Sequence, residues 1–318
     1  MTAVPVTVLL TGAAGQLGRA LLASCPQGVE LIATSRAGGE GLLPLDLADA
    51  QACRRVVLEH RPDWVLNAGA YTAVDRAESE PELAKAVNGG APRALAEALR
   101  ETGGSLLQVS TDFVFDGRQG SPYLPKQKRR PLGVYGASKA AGEEAVEQVL
   151  GAVGQGVILR TSWVMGPVGR NFARTMLRLH RERGAGGPAI GVVADQVGCP
   201  TSTLTLATTC WRLIGRWDAM ISAAGAGPLP MVLHWSDAGA ASWYDVAVAV
   251  GELGVELGLL EQAASVNPIL TADYPLPAPR PSYSLLECSG TRQLLDLQPK
   301  HWRVALRQML ETAPSVGP

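Results

Sequence analysis

Net charge is almost absent from this 318-residue chain, with 28 basic side chains against 29 acidic ones. A chain so balanced carries no electrostatic footprint for nucleic acid or for an anionic membrane surface. Histidine is scarce. His60, His180, His234 and His301 lie far apart, which removes any metal-ligand spacing. The cysteines Cys25, Cys53, Cys199, Cys210 and Cys288 are scattered and odd in number. They read as reduced thiols of a cytoplasmic protein and not as a disulfide framework. No apolar stretch is long enough to span a bilayer. The N-terminal apolar run breaks at Gly12 and has no basic leader, so it reads as a buried strand and not a signal peptide. Aromatics are few while glycine and alanine are abundant, which suits close packing of helices on a sheet. Nearly half the residues are hydrophobic, enough for a sizeable core. The length fits one large α/β domain or two intimate lobes.

What is present is an alternation of short apolar runs and helical segments. Residues 6–10 form a β-branched run, followed by a turn with Gly12, Gly15 and Gly18 and a helical segment at 19–24. Strand, glycine turn and helix together are the context of a dinucleotide site. Gly12 permits the tight turn, Gly15 admits a pyrophosphate, and Gly18 lets helix pack on strand. The helix N-terminus then offers N–H groups to the phosphates, and Gln16 and Leu17 are assigned to the cofactor. The spacing is Gly-x-x-Gly-x-x-Gly, and the motif alone is also compatible with a turn that binds nothing. A second strand at 29–34 ends at Ser35 and Arg36, with no acidic residue for a ribose 2′-hydroxyl. Arginine there suits a 2′-phosphate, which favours NADPH, with NADH possible; a solvated loop arginine is the alternative. A third run at 42–45 leads to Asp46 and Leu47, both assigned to the cofactor. The Asp46 carboxylate suits either an adenine amino group or the cap of a helix at 49–60. A fourth strand at 64–67 precedes Ala68, Gly69 and Ala70, a small-residue turn past which a nicotinamide ribose fits. Residues 73–86 and 91–102 read as helices, with Asn88 at their junction. A fifth strand at 105–110 ends in Ser110, Thr111 and Asp112. The alternation predicts an α/β fold with a Rossmann-like, doubly wound parallel sheet, in which ligands bind beyond the carboxyl ends of the strands.

Tyr135 and Lys139 lie four residues apart among helix formers, so they share one helical face. An ammonium beside a phenol favours the phenolate, and a tyrosine so tuned exchanges protons with an alcohol or ketone. Alone, the pair also fits an ordinary surface helix. Before it, residues 116–131 form a loop with Lys126, Lys128, Arg129 and Arg130, a charge run read as a solvated face, with contact to a substrate diphosphate as the alternative. Beyond it come a strand at 157–160, a helix at 171–183, a flexible link at 184–188 and a polar turn at 195–201. A helix at 204–214, a short strand at 233–235, a helix at 242–260 and an irregular proline-rich stretch at 274–281 complete the chain.

Several segments together resemble the extended short-chain dehydrogenase/reductase superfamily, and within it the dTDP-4-dehydrorhamnose reductase family. They are Thr-Gly-Ala-Ala-Gly-Gln-Leu-Gly at 11–18, Asn-Ala-Gly-Ala-Tyr-Thr-Ala-Val-Asp at 67–75 and Ser-Thr-Asp-Phe-Val-Phe-Asp-Gly at 110–117. Tyr135 through Lys139, Arg-Thr-Ser-Trp at 160–163, Asp-Gln-x-Gly-x-Pro-Thr at 195–201, Ser-Trp-Tyr at 242–244 and Arg-Pro-x-x-Ser-x-Leu at 280–286 extend the match. The resemblance implies a Rossmann domain over 1–161, rejoined around 190–235 and 266–285. It also implies a smaller, discontinuous sugar-nucleotide lobe from 162–189, 236–265 and 286–311, with a loose tail at 312–318.

By the same resemblance, NADPH reduces the C4 ketone of dTDP-4-dehydro-β-L-rhamnose to dTDP-L-rhamnose. Thr111 bonds the carbonyl oxygen, Tyr135 donates the proton, and Lys139 bonds the nicotinamide ribose and holds down the tyrosine pKa. Thr72, Val74, Asp112, Trp163, Asn171, Gln196 and Arg280 are the implied substrate residues, with Trp163 packed on the sugar. Some members carry a metal-bridging glutamate after the glycine motif; here Arg19-Ala20 stands there, so no metal is implied. A monomer or homodimer is expected, with no nucleic acid or membrane partner. The chain departs from the family in its basic loop before Tyr135 and in Gly133, where asparagine is common. Two other readings compete. One is a non-catalytic NADP-binding regulator resembling the methionine adenosyltransferase β subunit, which lacks the 160–163 and 195–201 segments that are intact here. The other is a reductase or epimerase for a different sugar nucleotide.

Overall fold

The computed structural model describes residues 5–184, 186–223 and 229–313. The chain opens with β1 (Val6–Thr11), α1 (Gln16–Ala23), β2 (Val29–Ser35), β3 (Leu43–Pro44), α2 (Ala50–His60) and β4 (Trp64–Asn67). Then follow α3 (Val74–Ala77), α4 (Pro81–Lys85), a π-turn (Ala86–Gly90), α5 (Ala91–Thr102), β5 (Ser105–Thr111), α6 (Val134–Leu150) and β6 (Gly156–Thr161). The remainder comprises β7 (Val164–Met165), α7 (Phe172–Arg183), β8 (Ile190–Val193), β9 (Val197–Gly198), β10 (Thr201–Ser202), α8 (Thr203–Ala223) and β11 (Val232–His234). It ends with β12 (Ala241–Ser242), α9 (Trp243–Glu256), β13 (Val266–Ile269), α10 (Ser289–Leu295) and α11 (Trp302–Glu311).

Seven strands form one parallel sheet in the order β11-β6-β5-β4-β1-β2-β3. The order reverses between β1 and β4, the switch point where doubly wound sheets bind ligands. Alternate side chains of each strand feed opposite faces. Val8 and Leu10 pack with Leu17 and Leu21 of α1 and with Leu206, Leu213 and Trp217 of α8. Leu9, between them, packs on the other face with Val57 of α2, Leu95 and Leu99 of α5, and Val146 and Leu150 of α6. Strands buried on both sides read as continuous apolar runs, which is why the sequence shows no alternation in them.

A second core lies outside this sheet. Met176 and Leu177 of α7, Val246, Val250 and Leu253 of α9, and Leu306 and Met309 of α11 enclose it. Of the stretch 190–235 expected to rejoin the Rossmann domain, α8 packs on the main sheet and β11 pairs with β6, but β8 does neither. β8 pairs in parallel with β13, and Ile190 and Val192 belong to the second core. Segment 266–269, also expected in the main sheet, is its partner. α10, expected in the lobe, packs instead on α8 and β11. Two helices differ in length: 204–214 extends to Thr203–Ala223, and 242–260 stops at Glu256. The expected helix at 73–86 breaks into α3 and α4, because Pro81 lacks the N–H a continuous helix needs. Residues 314–318 of the expected tail, and residue 185 of the expected link, lie outside the described residues.

The basic loop is not the uniformly solvated face expected. Arg129 turns inward and its Nε donates to Glu143 Oε2 at 2.5 Å, with a second ion pair to Glu147. Glu143, on α6, has no exposed surface. It also takes Arg160 Nη2 of β6 at 2.6 Å and the Ser110 hydroxyl of β5 at 2.5 Å. Arg160 is itself buried, donates to the Pro125 carbonyl, and lies 5.0 Å from the Phe115 ring centroid. Burial pushes the Glu143 carboxyl up, but Arg160, Arg129 and Ser110 outweigh it, and its pKa falls below the ordinary value of 4.5. Removing one partner of such a buried pair strands a charge, at a cost of about 3–5 kcal/mol. Glu143→Leu is therefore expected to lower unfolding stability in urea by about that amount at neutral pH. A carboxyl whose folded pKa is depressed contributes stability above its unfolded pKa and loses it as pH falls through the folded one. The gap between wild type and variant should narrow as the pH drops below the ordinary value of 4.5; a constant gap would contradict the network.

Candidate active site

The site lies where β1, β4, β5 and β6 end, at the switch point of the sheet. Gly12 sits in the left-handed region at φ +68°, and a Cβ there would lie 2.5 Å from Gly69 Cα, so two backbone turns touch. A Cβ on Gly18 would lie 2.2 Å from the Gly12 carbonyl oxygen, which fixes α1 against the turn. Gly15 precedes α1 in extended conformation and has no side chain to cap it. The first-turn residues Gln16 and Leu17 line a cavity of about 680 Å³. Ala68, Gly69, Ala70, Thr72 and Val74 form its second wall, after β4. Thr111 at the end of β5 and the following Asp112, with Tyr135 and Lys139 from α6, form its floor, and Trp163 and Asn171 near the second core and Arg280 from the proline-rich stretch line it too.

α6 begins one residue before Tyr135, so Tyr135, Lys139 and Glu143 follow one another by single turns along one face. The Thr111 hydroxyl donates to Asp112 Oδ1 at 3.0 Å and accepts the Phe113 N–H at 3.2 Å. The Phe113 ring meets Tyr135 edge-on, centroids 5.5 Å apart. Lys139 is 4% exposed and its Nζ donates to the Val109 carbonyl at 2.7 Å. Burial pulls the Lys139 ammonium down to about 8, against the opposing attraction of Glu143. The expected depression of the tyrosine pKa is not found. Burial pushes the phenol up to about 12, the Asp112 carboxylate adds to this, and only a hydrogen bond with Thr111 works against it. Asp112 is itself raised to about 6 by burial, with Ser284 and Thr111 pulling it back.

Other assigned residues take different partners from those the sequence suggested. The Gln16 side chain reaches across to the second lobe: its Oε1 accepts from Asn171 Nδ2 at 2.7 Å and from the Gly166 N–H at 3.0 Å, and its Nε2 donates to the Arg170 carbonyl. Arg280 makes a two-pronged pair with Asp75, both contacts at 2.8 Å. Trp163, at φ +47°, lies flat on Trp243 with centroids 3.6 Å apart, so one ring face is already covered. Trp243 Nε1 donates to Gln196 Oε1, whose amide donates to the Thr271 hydroxyl. Gln196 does not reach the first cavity. It lines an adjoining apolar one of about 630 Å³, which shares Phe113, Trp163, Phe172, Trp243 and Arg280 with it.

Four assigned residues, Ser35, Arg36, Asp46 and Leu47, lie outside both cavities, toward the β2–β3 edge. Ser35 is buried and engaged with Gly38, whereas Arg36 is exposed. Leu47 touches the Gly69 turn. Of the two fates open to Asp46, it accepts the Ala48 N–H, and the helix cap falls to Asp49. Sequence reasoning passed over Asn88. It sits in the π-turn, accepts the Tyr71 N–H at 2.9 Å, and donates to Tyr71 O and Ser138 Oγ at 3.0 Å. It thereby ties the turn after β4 to the helix of Tyr135. Paired glycines after Asn88, before Pro92, are the local signal of a helix interrupted at a functional place. Among the described residues no cluster of His, Cys, Asp and Glu has the make-up of a metal site, and no helix is long and apolar enough to cross a membrane.

The family model described as the RmlD substrate binding domain matches residues 6–314. The chain is similar to a dTDP-4-dehydrorhamnose reductase of Streptomyces griseus, 41% identical over 303 residues, covering 94% of this chain and 91% of that one. It is also similar, at 40% identity over 301 residues, to a probable dTDP-4,6-dihydroxy-2-methyloxan-3-one 4-ketoreductase of Streptomyces antibioticus, covering 94% and 93% of the two chains. Among solved structures it is similar to dTDP-4-dehydrorhamnose reductase of Bacillus anthracis in complex with NADP, with a TM-score of 0.80 and 31% identity over 96% of this chain and 98% of that one. A family model matching residues 6–314 and identity along nearly the whole length leave one assignment: the chain belongs to the RmlD substrate binding domain family, together with the dTDP-4-dehydrorhamnose reductases.

Proposed function

We propose that this protein is an NADPH-dependent reductase that converts the C4 ketone of dTDP-4-dehydro-β-L-rhamnose into the alcohol of dTDP-L-rhamnose. One observation carries the reading. Thr111, Tyr135 and Lys139 line the same cavity as the uncapped glycine turn, and that cavity opens into an apolar one across Trp163, Trp243 and Arg280. The glycine cradle, open at the first turn of α1, fits a dinucleotide pyrophosphate. Ser35 and Arg36 at the end of β2 suit a 2′-phosphate.

The bound dinucleotide supplies the hydride. Everything else falls to this chain's residues. Thr111 and Tyr135 share the ketone oxygen and meet the negative charge that develops on it. A phenol near 12 stays protonated at neutral pH, so Tyr135 is a ready acid for an alkoxide, which is a far stronger base. Lys139 contributes a buried cation beneath the site and a donor to the nicotinamide ribose. The Trp163–Trp243 stack walls the sugar, with Thr72, Val74, Asp112, Asn171 and Arg280 around it, while Gln196 lines the adjoining cavity that takes the nucleotide. Remote binding of the nucleotide in the apolar cavity aligns the small sugar at the phenol. The reaction belongs to the cytoplasm and to a monomer or homodimer.

A second reading, reduction of a related dTDP-4-keto sugar, is favoured by the likeness to the Streptomyces antibioticus ketoreductase. Oxidation of NADPH followed with both sugar nucleotides separates the two. NADPH binding without turnover of any sugar nucleotide would instead favour the regulatory-subunit reading. Tyr135→Phe is expected to lower kcat by about a thousandfold while NADPH affinity, read by fluorescence, stays unchanged. Retained turnover would remove Tyr135 as the acid. Arg36→Ala should weaken NADPH roughly tenfold more than NADH in parallel titrations; equal effects would reject the 2′-phosphate assignment. Because Lys139 loses its proton at about 8, kcat/KM should fall above that pH along a single-proton limb. A profile flat to about pH 10 would exclude this role for the ammonium.

A further inference from the structure

The N-terminus of the helix that carries Tyr135 has an unusual support. The first N–H groups of a helix lack partners within it, and the residue before the helix commonly supplies one from its side chain. Here that residue is Gly133, which has no side chain to offer. Its backbone is extended, at φ −139° and ψ 179°, a conformation open to any residue. Glycine is therefore not required for its flexibility. What it leaves is room for the Glu78 carboxylate: a Cβ would lie 2.6 Å from Glu78 Oε1, the mobile end of that side chain, and 3.4 Å from Pro279 Cδ. The same Glu78 oxygen accepts the Val134 N–H at 2.8 Å, reaching α6 from 56 residues earlier in the chain. A carboxylate at this end also opposes the positive pole of the helix.

Glu78 closes α3, a helix of four residues that follows the Thr72 wall of the cavity. One turn earlier on α3, Asp75 holds the Arg280 guanidinium and accepts the Ala278 N–H at 3.2 Å. Two carboxylates three residues apart thus grip two different parts of the site: the first turn of α6 and the proline-rich strap. We propose that Glu78 is a positioning residue for Tyr135. It caps α6 from outside, fixes the turn that presents the phenol, and sets its place relative to Arg280. The vacancy at Gly133 is the other half of this device. This inference rests on the reductase reading for its kinetic consequence, but not for the cap itself.

The test uses the full-length protein and four variants, with two readouts. Hydrogen–deuterium exchange over residues 133–138 reports the cap without any substrate. Turnover of the dTDP-4-keto sugar reports its consequence. Glu78→Ala is expected to speed exchange in that peptide and to lower kcat about tenfold, with KM and NADPH affinity within about twofold. Glu78→Gln keeps an acceptor oxygen and should stay within about threefold of wild type. Gly133→Asn alone should be impaired only mildly, because its Cβ meets the mobile end of Glu78. The double variant Glu78→Ala/Gly133→Asn removes that clash and provides a local cap, so it should recover most of the loss in both readouts. Unchanged exchange in Glu78→Ala overturns the cap whether or not the substrate is right. Faster exchange with wild-type kcat, or a double variant no better than Glu78→Ala, overturns the positioning role. Absence of turnover in the wild type would count against the reductase reading alone.

Discussion

The Glu143 carboxylate is the constraint on which the site depends. It is buried without exposed surface, yet stays ionised because two guanidiniums and a hydroxyl meet it. Those partners come from three places that the chain has no local reason to bring together: Arg160 from β6, Arg129 from the loop before α6, and Ser110 from β5. A lone buried charge is expensive, so each of the three partners lowers the cost of burying it. Ser110 immediately precedes Thr111, and Glu143 lies two turns along α6 from Tyr135. The network therefore sets the strand bearing the hydroxyl against the helix bearing the phenol. Its charge also opposes the tendency of burial to neutralise Lys139.

The two cores meet across polar side chains and not across an apolar seam alone. Gln16 leaves the glycine turn to bind Asn171 and Gly166, while Asp75 binds Arg280 on the other side of the cavity. Asn171 also caps α7 through the Arg174 N–H, so one amide serves both the lobe's first helix and the cofactor turn. These are short bridges, each with donors and acceptors matched. They tie the walls of the second lobe to the glycine turn after β1. The Trp163–Trp243 stack stands where the two cavities join, held by Gln196 at one end and pressed by Gly198 at Trp163.

The two departures from the family pattern acquire physical explanations. The basic loop before Tyr135 sends Arg129 inward, where it pairs with Glu143 and Glu147, so that charge belongs to the framework and not to the substrate mouth. Gly133 leaves room for Glu78, and the cap that a neighbour in sequence commonly supplies comes from α3.

Most of the main sheet was legible because its strands are continuous apolar runs, each bounded by a glycine or polar turn. The glycine turn and the Tyr135–Lys139 pair were legible because local geometry dictates them: a turn needs glycine, and four residues make one helical turn; Thr111 was reached through the resemblance to the reductase family. The break at Pro81 was also written locally, although the helical composition around it masked the signal. What the sequence could not determine by itself was every pairing across long separations. The association of β8 with β13, the inward turn of Arg129, the reach of Gln16 and the grip of α3 on both Val134 and Arg280 were decided by tertiary structure. So was the protonation of the site, since the phenol near 12 and the ammonium near 8 follow from burial. Spacing along a chain fixes which side chains share a face; only packing fixes how much water each one loses and which distant charge it meets.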